Sequence, residues 1–151
     1  EMQRSLVGSE MCIRDRFMTE TELLDEARHA MLNAYAPYSK FCVGAALLAE
    51  DGTVYTGCNI ENASYGAAIC AERVAIAGCI SDKKRHIRRI AICSTSGNET
   101  FPCGICRQVM SEFMDEDSQI ILETKDGGFH VYTLAELLPY SFNSDSMNSG
   151  K

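Results

Sequence analysis

The sequence predicts an α/β protein in which a mixed β-sheet carries helices on its faces. Two apolar runs separated by a turn indicate a β-hairpin in the first half, and helical and strand patterns alternate after it. The chain has 151 residues, of which 46% are apolar and 23% charged, as is typical of one soluble domain. This apolar content is enough for a hydrophobic core that needs no disulfides.

The first half of the chain predicts one helix and the hairpin. Apolar side chains recur at helical spacing over residues 23–35, and the helix is expected to stop before Pro37. Thr19 and Glu22 have the spacing of a capping box at its start. The continuous apolar run 42–49 predicts a buried strand, and a turn at 50–53 joins it to a second strand over 54–60.

The second half predicts alternating helices and strands. Helices are expected over residues 71–80 and 106–114, and strands over 89–95, 119–123 and 129–132. The glycine pair at 127–128 marks a turn, and Thr133 begins a short final helix. These alternations favour a mixed sheet with helices on its faces.

The two ends of the chain differ from the middle. Residues 1–17 show neither helical nor strand periodicity, and the capping box directly follows Met18. We therefore expect Met18 to be the natural initiator and residues 1–17 to be a non-native or disordered leader. Residues 143–151, rich in Ser and Asn, are predicted to form a flexible tail. Residues 18–142 are then one domain.

Charge and hydropathy exclude several functional classes. The formal net charge of −7 disfavours a general nucleic-acid binder and an anionic membrane surface. The longest apolar run, 42–49, is too short to span a bilayer. The basic segment 83–86 is interpreted as a solvated loop rather than a phosphate site. The N-terminal segment lacks the apolar region of a signal peptide, which predicts a cytoplasmic location.

Eight cysteines in a reducing compartment point to a metal site or to ordinary packing. Pro102 precedes a Cys-x-x-Cys pair, Cys103 and Cys106, and Cys70 stands at another predicted helix start. Three thiolates converging from two helix starts would give zinc three protein ligands and leave a fourth position for water, as in catalytic sites. The remaining assignments are that Cys42, Cys58, Cys79 and Cys93 are small buried apolar residues, and that His29, His86 and His130 bind no metal.

Glu72 decides between a catalytic and a structural zinc site. Two residues beyond Cys70, its carboxylate can carry protons between water and a substrate nitrogen without binding the metal. Three Cys or His ligands, a non-ligand Glu and a Pro-Cys-x-x-Cys segment together form the signature of zinc deaminases. A structural zinc module that binds a partner protein would leave Glu72 without a role. A redox Cys-x-x-Cys would be expected nearer the start of the chain, after an early strand.

Three segments resemble the short, homotetrameric, three-cysteine cytidine deaminases. They are Asn59-Ile60-Glu61-Asn62-Ala63-Ser64-Tyr65, then Cys70-Ala71-Glu72-Arg73, then Pro102-Cys103-Gly104-Ile105-Cys106-Arg107-Gln108. The similarity extends over about residues 18–142. It implies a three-layer α/β/α fold with a mixed five-stranded sheet.

The resemblance also assigns roles to single residues. It implies that Cys70, Cys103 and Cys106 bind one Zn²⁺ per chain and that Glu72 is the proton shuttle. It also implies that Arg73 donates hydrogen bonds to the thiolates and that Asn59 and Glu61 contact the ribose. By the same resemblance, Phe41 would pack on the nucleoside. The residues implied to lie near a neighbouring subunit's active site are Ala63, Tyr65 and Phe142.

The activity implied by the resemblance is zinc-dependent hydrolytic deamination of cytidine and 2′-deoxycytidine, with release of ammonia, in pyrimidine salvage. The expected state is a cytoplasmic homotetramer that binds neither nucleic acid nor membranes. Deamination of a nucleoside analogue such as blasticidin S is the alternative, although Asn59 and Glu61 favour an ordinary ribose. A polynucleotide deaminase would need a basic groove, which the net charge of −7 disfavours.

Overall fold

The computed structural model describes residues 18–148, so the predicted leader, residues 1–17, lies outside the described residues. Within this part of the chain, no helix is both long and apolar enough to cross a membrane. The helices are α1 (Glu20–Met31), α2 (Ala71–Ser81), α3 (Gly104–Phe113), α4 (Leu134–Leu137) and α5 (Ser144–Asn148), with a 3₁₀ turn at Tyr65–Ala67. The strands are β1 (Val43–Ala49), β2 (Val54–Cys58), β3 (Ile87–Ser94), β4 (Met114–Glu123) and β5 (Phe129–Thr133).

The five strands form one mixed sheet in the order β2-β1-β3-β4-β5. β1 is antiparallel to both β2 and β3, β3 is parallel to β4, and β5 is antiparallel to β4. It follows that β2, β3 and β4 run in the same direction. Because α2 follows β2 and α3 follows β3, both helices begin at the same edge of the sheet. The topology therefore brings two helix N-termini together.

Helices cover both faces of the sheet, which confirms the three-layer, five-stranded prediction. All seven residues of β1 are buried. Ala46 and Leu48 pack with α1, whereas Ala45 and Leu47 belong to the larger core beneath α2, α3 and α4. A strand covered on both faces needs apolar side chains at every position, which explains the unbroken apolar run in the sequence.

α1 ends four residues earlier than its periodicity predicts. The cap at Thr19 is present, since its Oγ1 accepts a hydrogen bond from the Glu22 amide at 3.1 Å. The predicted continuation to Tyr35 is wrong because the backbone of Tyr35 pairs with the segment after β2. The Tyr35 amide donates to the Asn59 carbonyl at 3.0 Å, and the Glu61 amide donates to the Tyr35 carbonyl at 2.8 Å.

β4 begins at Met114, five residues before the predicted strand start. The acidic segment 115–117 hides the strand pattern because its three side chains are exposed. The pairing with β3 shifts register in this segment. Buried Ser118 bridges the irregularity, since its hydroxyl donates to the Ile87 carbonyl at 3.3 Å and accepts from the Asp115 amide at 2.9 Å. Part of the predicted tail forms α5, which has no buried residue.

We expect Gly44→Ala to destabilise the fold, because α1 crosses β1 at this glycine. A Cβ atom on Gly44 would overlap the Ala27 carbonyl oxygen and lie 2.7 Å from the Met31 amide nitrogen. Separating the two elements should lower the free energy of unfolding by roughly 3 kcal/mol. Urea denaturation at fixed zinc and protein concentrations measures this change.

Gly78→Ala is the matched control for this prediction. Gly78 lies within α2, and the nearest atom to its added Cβ is Tyr55 Cδ1, at 3.9 Å. The alanine should raise the unfolding free energy by about 0.5–1 kcal/mol, because it favours the helix. A Gly44→Ala protein as stable as the Gly78→Ala protein would contradict the close helix–strand contact.

Candidate active site

Three cysteine thiols lie together where α2 and α3 begin. Cys70 and Cys103 are the N-caps of the two helices, and Cys106 lies in the first turn of α3. Their three Sγ atoms are within 4.8 Å of one another, and those of Cys70 and Cys103 are 3.8 Å apart. Tetrahedral zinc with bonds of about 2.3 Å places two thiolate sulfurs about 3.8 Å apart. The thiol cluster therefore fits zinc in both its donor chemistry and its spacing.

The surroundings of the thiol cluster favour a thiolate at Cys70. A hydrogen bond from the Cys106 thiol, assisted by Arg73 and opposed by burial, lowers the pKa of Cys70 to about 5. Cys106 is the donor of this hydrogen bond, so the bond and burial together raise the pKa of Cys106. Arg73 Nη2 donates to Cys70 Sγ at 3.6 Å, and the buried Arg73 Nε has no hydrogen-bond partner within residues 18–148. The positive helix N-termini act in the same direction as Arg73.

Glu72 is a buried carboxyl group beside the thiol cluster. It lies in the first turn of α2 and is only 4% exposed. Burial raises the pKa of Glu72, although a hydrogen bond from Cys106 acts in the opposite direction. A carboxyl group shielded from water in this way holds a proton more readily than an exposed one, as a proton-transferring residue requires.

A cavity of about 520 Å³ opens over Cys70, Cys103 and Glu72. This volume lies within the range of about 300–1,000 Å³ usual for small-molecule sites. The charged side chains that line it are Glu61, Glu72 and Arg73. Its apolar walls include Phe41, Ile60, Ile69, Phe101 and Ile105.

Asn59 and Glu61 line the cavity and also hold the loop that carries Phe41. Asn59 Oδ1 accepts from the Val43 amide and its Nδ2 donates to the Phe41 carbonyl, both at 2.8 Å. Glu61 Oε1 accepts from the amides of Tyr38 at 3.0 Å and Ser39 at 3.1 Å, and its Oε2 accepts from the Ser39 hydroxyl. Hydrogen bonds from Ser39 lower the pKa of Glu61. The two side chains therefore line the cavity and also fix the loop that forms part of its wall.

The remaining predicted substrate contacts divide into two groups. Phe41 and Tyr65 line the cavity, and the Tyr65 ring makes an edge contact with Tyr38 at 6.1 Å between ring centroids. Ala63 and Phe142 are exposed and lie outside the cavity lining of this chain. The Phe142 side chain is 61% exposed, while its carbonyl accepts from Gln108 Nε2 at 2.8 Å.

A family model described as the cytidine and deoxycytidylate deaminase zinc-binding region matches residues 18–122, more than half of the chain. This chain belongs to the cytidine deaminase family. Its relatives include a cytidine deaminase from Sporosarcina psychrophila, 43% identical over 131 residues, which are 87% of this chain and 96% of the relative. The cytidine deaminase of Halalkalibacterium halodurans is 44% identical over 131 residues, 87% of this chain and 99% of that one.

Solved structures of the family share the fold. The crystal structure of cytidine deaminase from Burkholderia pseudomallei is similar with a TM-score of 0.78 and 41% identity, over 82% of this chain and 99% of the other. The crystal structure of a mutant cytidine deaminase from Mycobacterium tuberculosis is similar with a TM-score of 0.74 and 37% identity, over 82% and 94% of the two chains. The predicted zinc cofactor is confirmed by the family model together with the thiol cluster.

The structure corrects the predicted burial of two of the other cysteines. Cys79 and Cys93 are buried as predicted, but Cys42 and Cys58 are only half-buried. Cys58 ends β2 and Cys42 directly precedes β1, where the sheet reaches its cavity-side edge and packing on both faces ceases.

Two histidines and the basic loop lie beside carboxylates. No histidine belongs to a metal-ligating group found in residues 18–148. His86 lies 3.2 Å from Asp115, and His130 lies 2.7 Å from Glu99. In the basic loop, Lys84 pairs with Asp51 at 2.7 Å, as a solvated surface loop would.

Two residues of the site were not singled out by the sequence analysis. Arg107 Nε donates to the Pro102 carbonyl and its Nη1 to the Leu137 carbonyl, both at 2.7 Å, so one guanidinium joins the cysteine loop to the end of α4. Its place directly after Cys106 was the available signal. Phe101, on the cavity wall, was signalled only by its place before Pro102.

We expect Cys103→Ala to lose zinc and stability together. The metal joins the starts of two helices, and its binding free energy contributes to folding. Metal analysis after dialysis should show substoichiometric zinc, and thermal unfolding should occur at a lower temperature. Cys93→Ala is the control, because Cys93 is buried against α1, away from the thiol cluster. Full zinc in Cys103→Ala, or zinc loss in Cys93→Ala alone, would contradict the ligand assignment.

Proposed function

We propose that this chain catalyses the hydrolytic deamination of cytidine and 2′-deoxycytidine to uridine and 2′-deoxyuridine, with release of ammonia, using one zinc ion per chain. The observation that carries the proposal is that Glu72 and two thiols of the cluster fit for zinc, Cys70 and Cys103, line one cavity of about 520 Å³. Membership of the cytidine deaminase family supports the same activity. The proposed catalytic unit is residues 18–142.

The charges around the cavity favour a nucleoside over a nucleotide. Of the three charged lining residues, two are carboxylates, and the guanidinium of Arg73 is engaged with the Cys70 thiol. A ligand phosphate would thus meet carboxylates, with no free cation among the described lining residues to pair with it. Cytidine is uncharged at neutral pH, so the cavity requires no such partner.

In the proposed reaction, Glu72 moves protons between water and the base. Bound at the thiol cluster, zinc supplies Lewis-acid activation of water for attack on C4 of the base. The Glu72 carboxylate accepts a proton from that water and delivers it to N3. It then takes the second proton from the new C4 hydroxyl group and passes it to the amino group. The C4–N bond breaks, ammonia leaves, and the C4 carbonyl of uridine forms.

The other proposed contacts orient the nucleoside. Asn59 keeps one amide N–H beyond its two hydrogen bonds to the backbone, and Glu61 Oε2 keeps one lone pair beyond the hydrogen bond that it accepts from Ser39, so both side chains can bind ribose hydroxyls. Phe41 offers an aromatic surface on the same side of the cavity. Since Asn59 also fixes the backbone of Phe41, binding of the ribose and placement of this ring depend on the same side chain.

Glu72→Gln should retain zinc and the fold but lose nearly all turnover. The amide can fill the space and hydrogen-bond, yet it cannot carry a proton. We expect kcat for cytidine to fall by at least about 10²–10⁴-fold, as for a residue that transfers protons. Absorbance of the cytidine-to-uridine conversion measures turnover, and metal analysis measures zinc. Glu26→Gln, an exposed change on α1, is the control. Near-normal turnover in Glu72→Gln would refute the mechanism.

We also propose that the active form is a cytoplasmic homotetramer. Large apolar side chains stand exposed on the single chain: Tyr65 at 78% and Ile105 at 61% line the cavity, and Phe142 at 61% lies outside the lining. A neighbouring subunit would cover them and close the cavity, with Ala63, Tyr65 and Phe142 at the contact. The described cysteines are all free thiols, which suits a reducing compartment.

Light scattering at assay concentration should give about four times the mass of one chain. Phe142→Ala should raise KM for cytidine or weaken assembly while zinc per chain stays the same, because Phe142 lies away from the thiols. Met147→Ala is a suitable control, since Met147 is also an exposed apolar residue near the C-terminus, at 75%. A fully active monomer would overturn the assembly proposal.

A further inference from the structure

We propose that Phe101 is a substrate-contacting wall of the cavity and that Glu99 and Tyr132, with His130, hold it in place. We call these four residues the aromatic brace. The inference rests on the proposed function and adds a substrate contact, together with the positioning residues behind it.

Phe101 is placed to contact a bound base. It lies on the loop between β3 and α3, two residues before Cys103, and both residues line the cavity. Its ring is 43% exposed in the single chain. An aromatic ring beside the thiol cluster offers a heteroaromatic base a flat apolar surface for stacking.

The Phe101 ring also packs on Tyr132 of β5. The two ring centroids are 5.2 Å apart, with an interplanar angle of 60°. Tyr132 is partly buried against the main core, so its own ring is fixed by the sheet and the helices above it. Phe101 is therefore supported by a rigid element rather than by its own loop alone.

Hydrogen bonds join the same strand to the Phe101 loop. The Tyr132 hydroxyl donates to Glu99 Oε1 at 2.8 Å, and His130 Nδ1 lies 2.7 Å from the same oxygen. These bonds lower the pKa of Glu99, and the bond to Glu99 raises the pKa of Tyr132. Between Glu99 and Phe101, the Thr100 hydroxyl donates to the buried Ser94 hydroxyl at 2.6 Å. The two residues that directly precede Phe101 are thus both held by side-chain hydrogen bonds.

We expect the aromatic brace to contribute little to the free energy of unfolding. The His130 side chain is 63% exposed and that of Glu99 26%, and polar contacts of this exposure stabilise proteins only weakly. The fold keeps its core without them. We therefore expect loss of the Tyr132 hydroxyl to act at the cavity wall, on the binding of substrate, more than on folding.

Tyr132→Phe tests the brace, because it keeps the ring and removes only the hydroxyl. We expect KM for cytidine to rise about threefold to tenfold, the range for loss of one hydrogen bond, with kcat and zinc content unchanged. Phe101→Ala should raise KM about tenfold or more. Adding Tyr132→Phe to Phe101→Ala should then have no further effect on KM, because the hydroxyl acts through the Phe101 ring. Val131→Ala, an exposed change on the same strand, should match the wild type.

Hydrogen–deuterium exchange gives a readout that does not depend on turnover. Amides of the loop 95–102 should exchange faster in Tyr132→Phe than in the wild type or in Val131→Ala. Unchanged loop exchange, unchanged KM, or additive effects of the two substitutions would each overturn the inference. Absence of cytidine turnover in the wild-type protein would instead overturn the proposed function, and the exchange comparison would still decide whether the brace holds the loop.

Discussion

The meeting of three thiol groups at the starts of two helices is the constraint on which the site depends. Three thiolates repel one another, so they stay together only where positive charge faces them. The helix N-termini and Arg73 supply part of that charge, and zinc supplies the rest when bound. The sheet makes this meeting possible because β2 and β3 run in the same direction, which starts α2 and α3 at one edge.

Around the thiol cluster, single side chains serve both the loops and the cavity. Asn59 and Glu61 use most of their polar atoms to hold the backbone from Tyr38 to Val43, and the same groups border the space where a nucleoside would lie. This arrangement makes the cavity largely preformed, since the walls are fixed by hydrogen bonds present without a ligand. Preorganisation of this kind reduces the entropy lost when a substrate binds.

The sequence was informative where the decisive interactions are local. The cap at Thr19, the unbroken apolar run of β1 and the Cys-x-x-Cys spacing are each visible in adjacent residues, and the cap and the buried strand were confirmed. Tyr35 and the start of β4 were missed because their backbones pair with residues distant in sequence, which no periodicity records. Phe101 was missed for the same reason, since its importance derives from a strand about thirty residues further on. The zinc ligands and Glu72 were predicted because their chemistry is concentrated in two short motifs.

Arg107 links the loop that carries Cys103 to the end of α4. Its guanidinium donates to the carbonyl before Cys103 and to the carbonyl that ends α4, so two distant parts of the backbone share one cation. Zinc binding that restrained Cys103 would therefore also restrain the backbone at the end of α4, and the contact at the end of α4 would in turn favour the loop that presents Cys103 to the metal. By thermodynamic reciprocity the two events have one coupling free energy. A chelator that removed zinc would then also loosen the backbone at the end of α4.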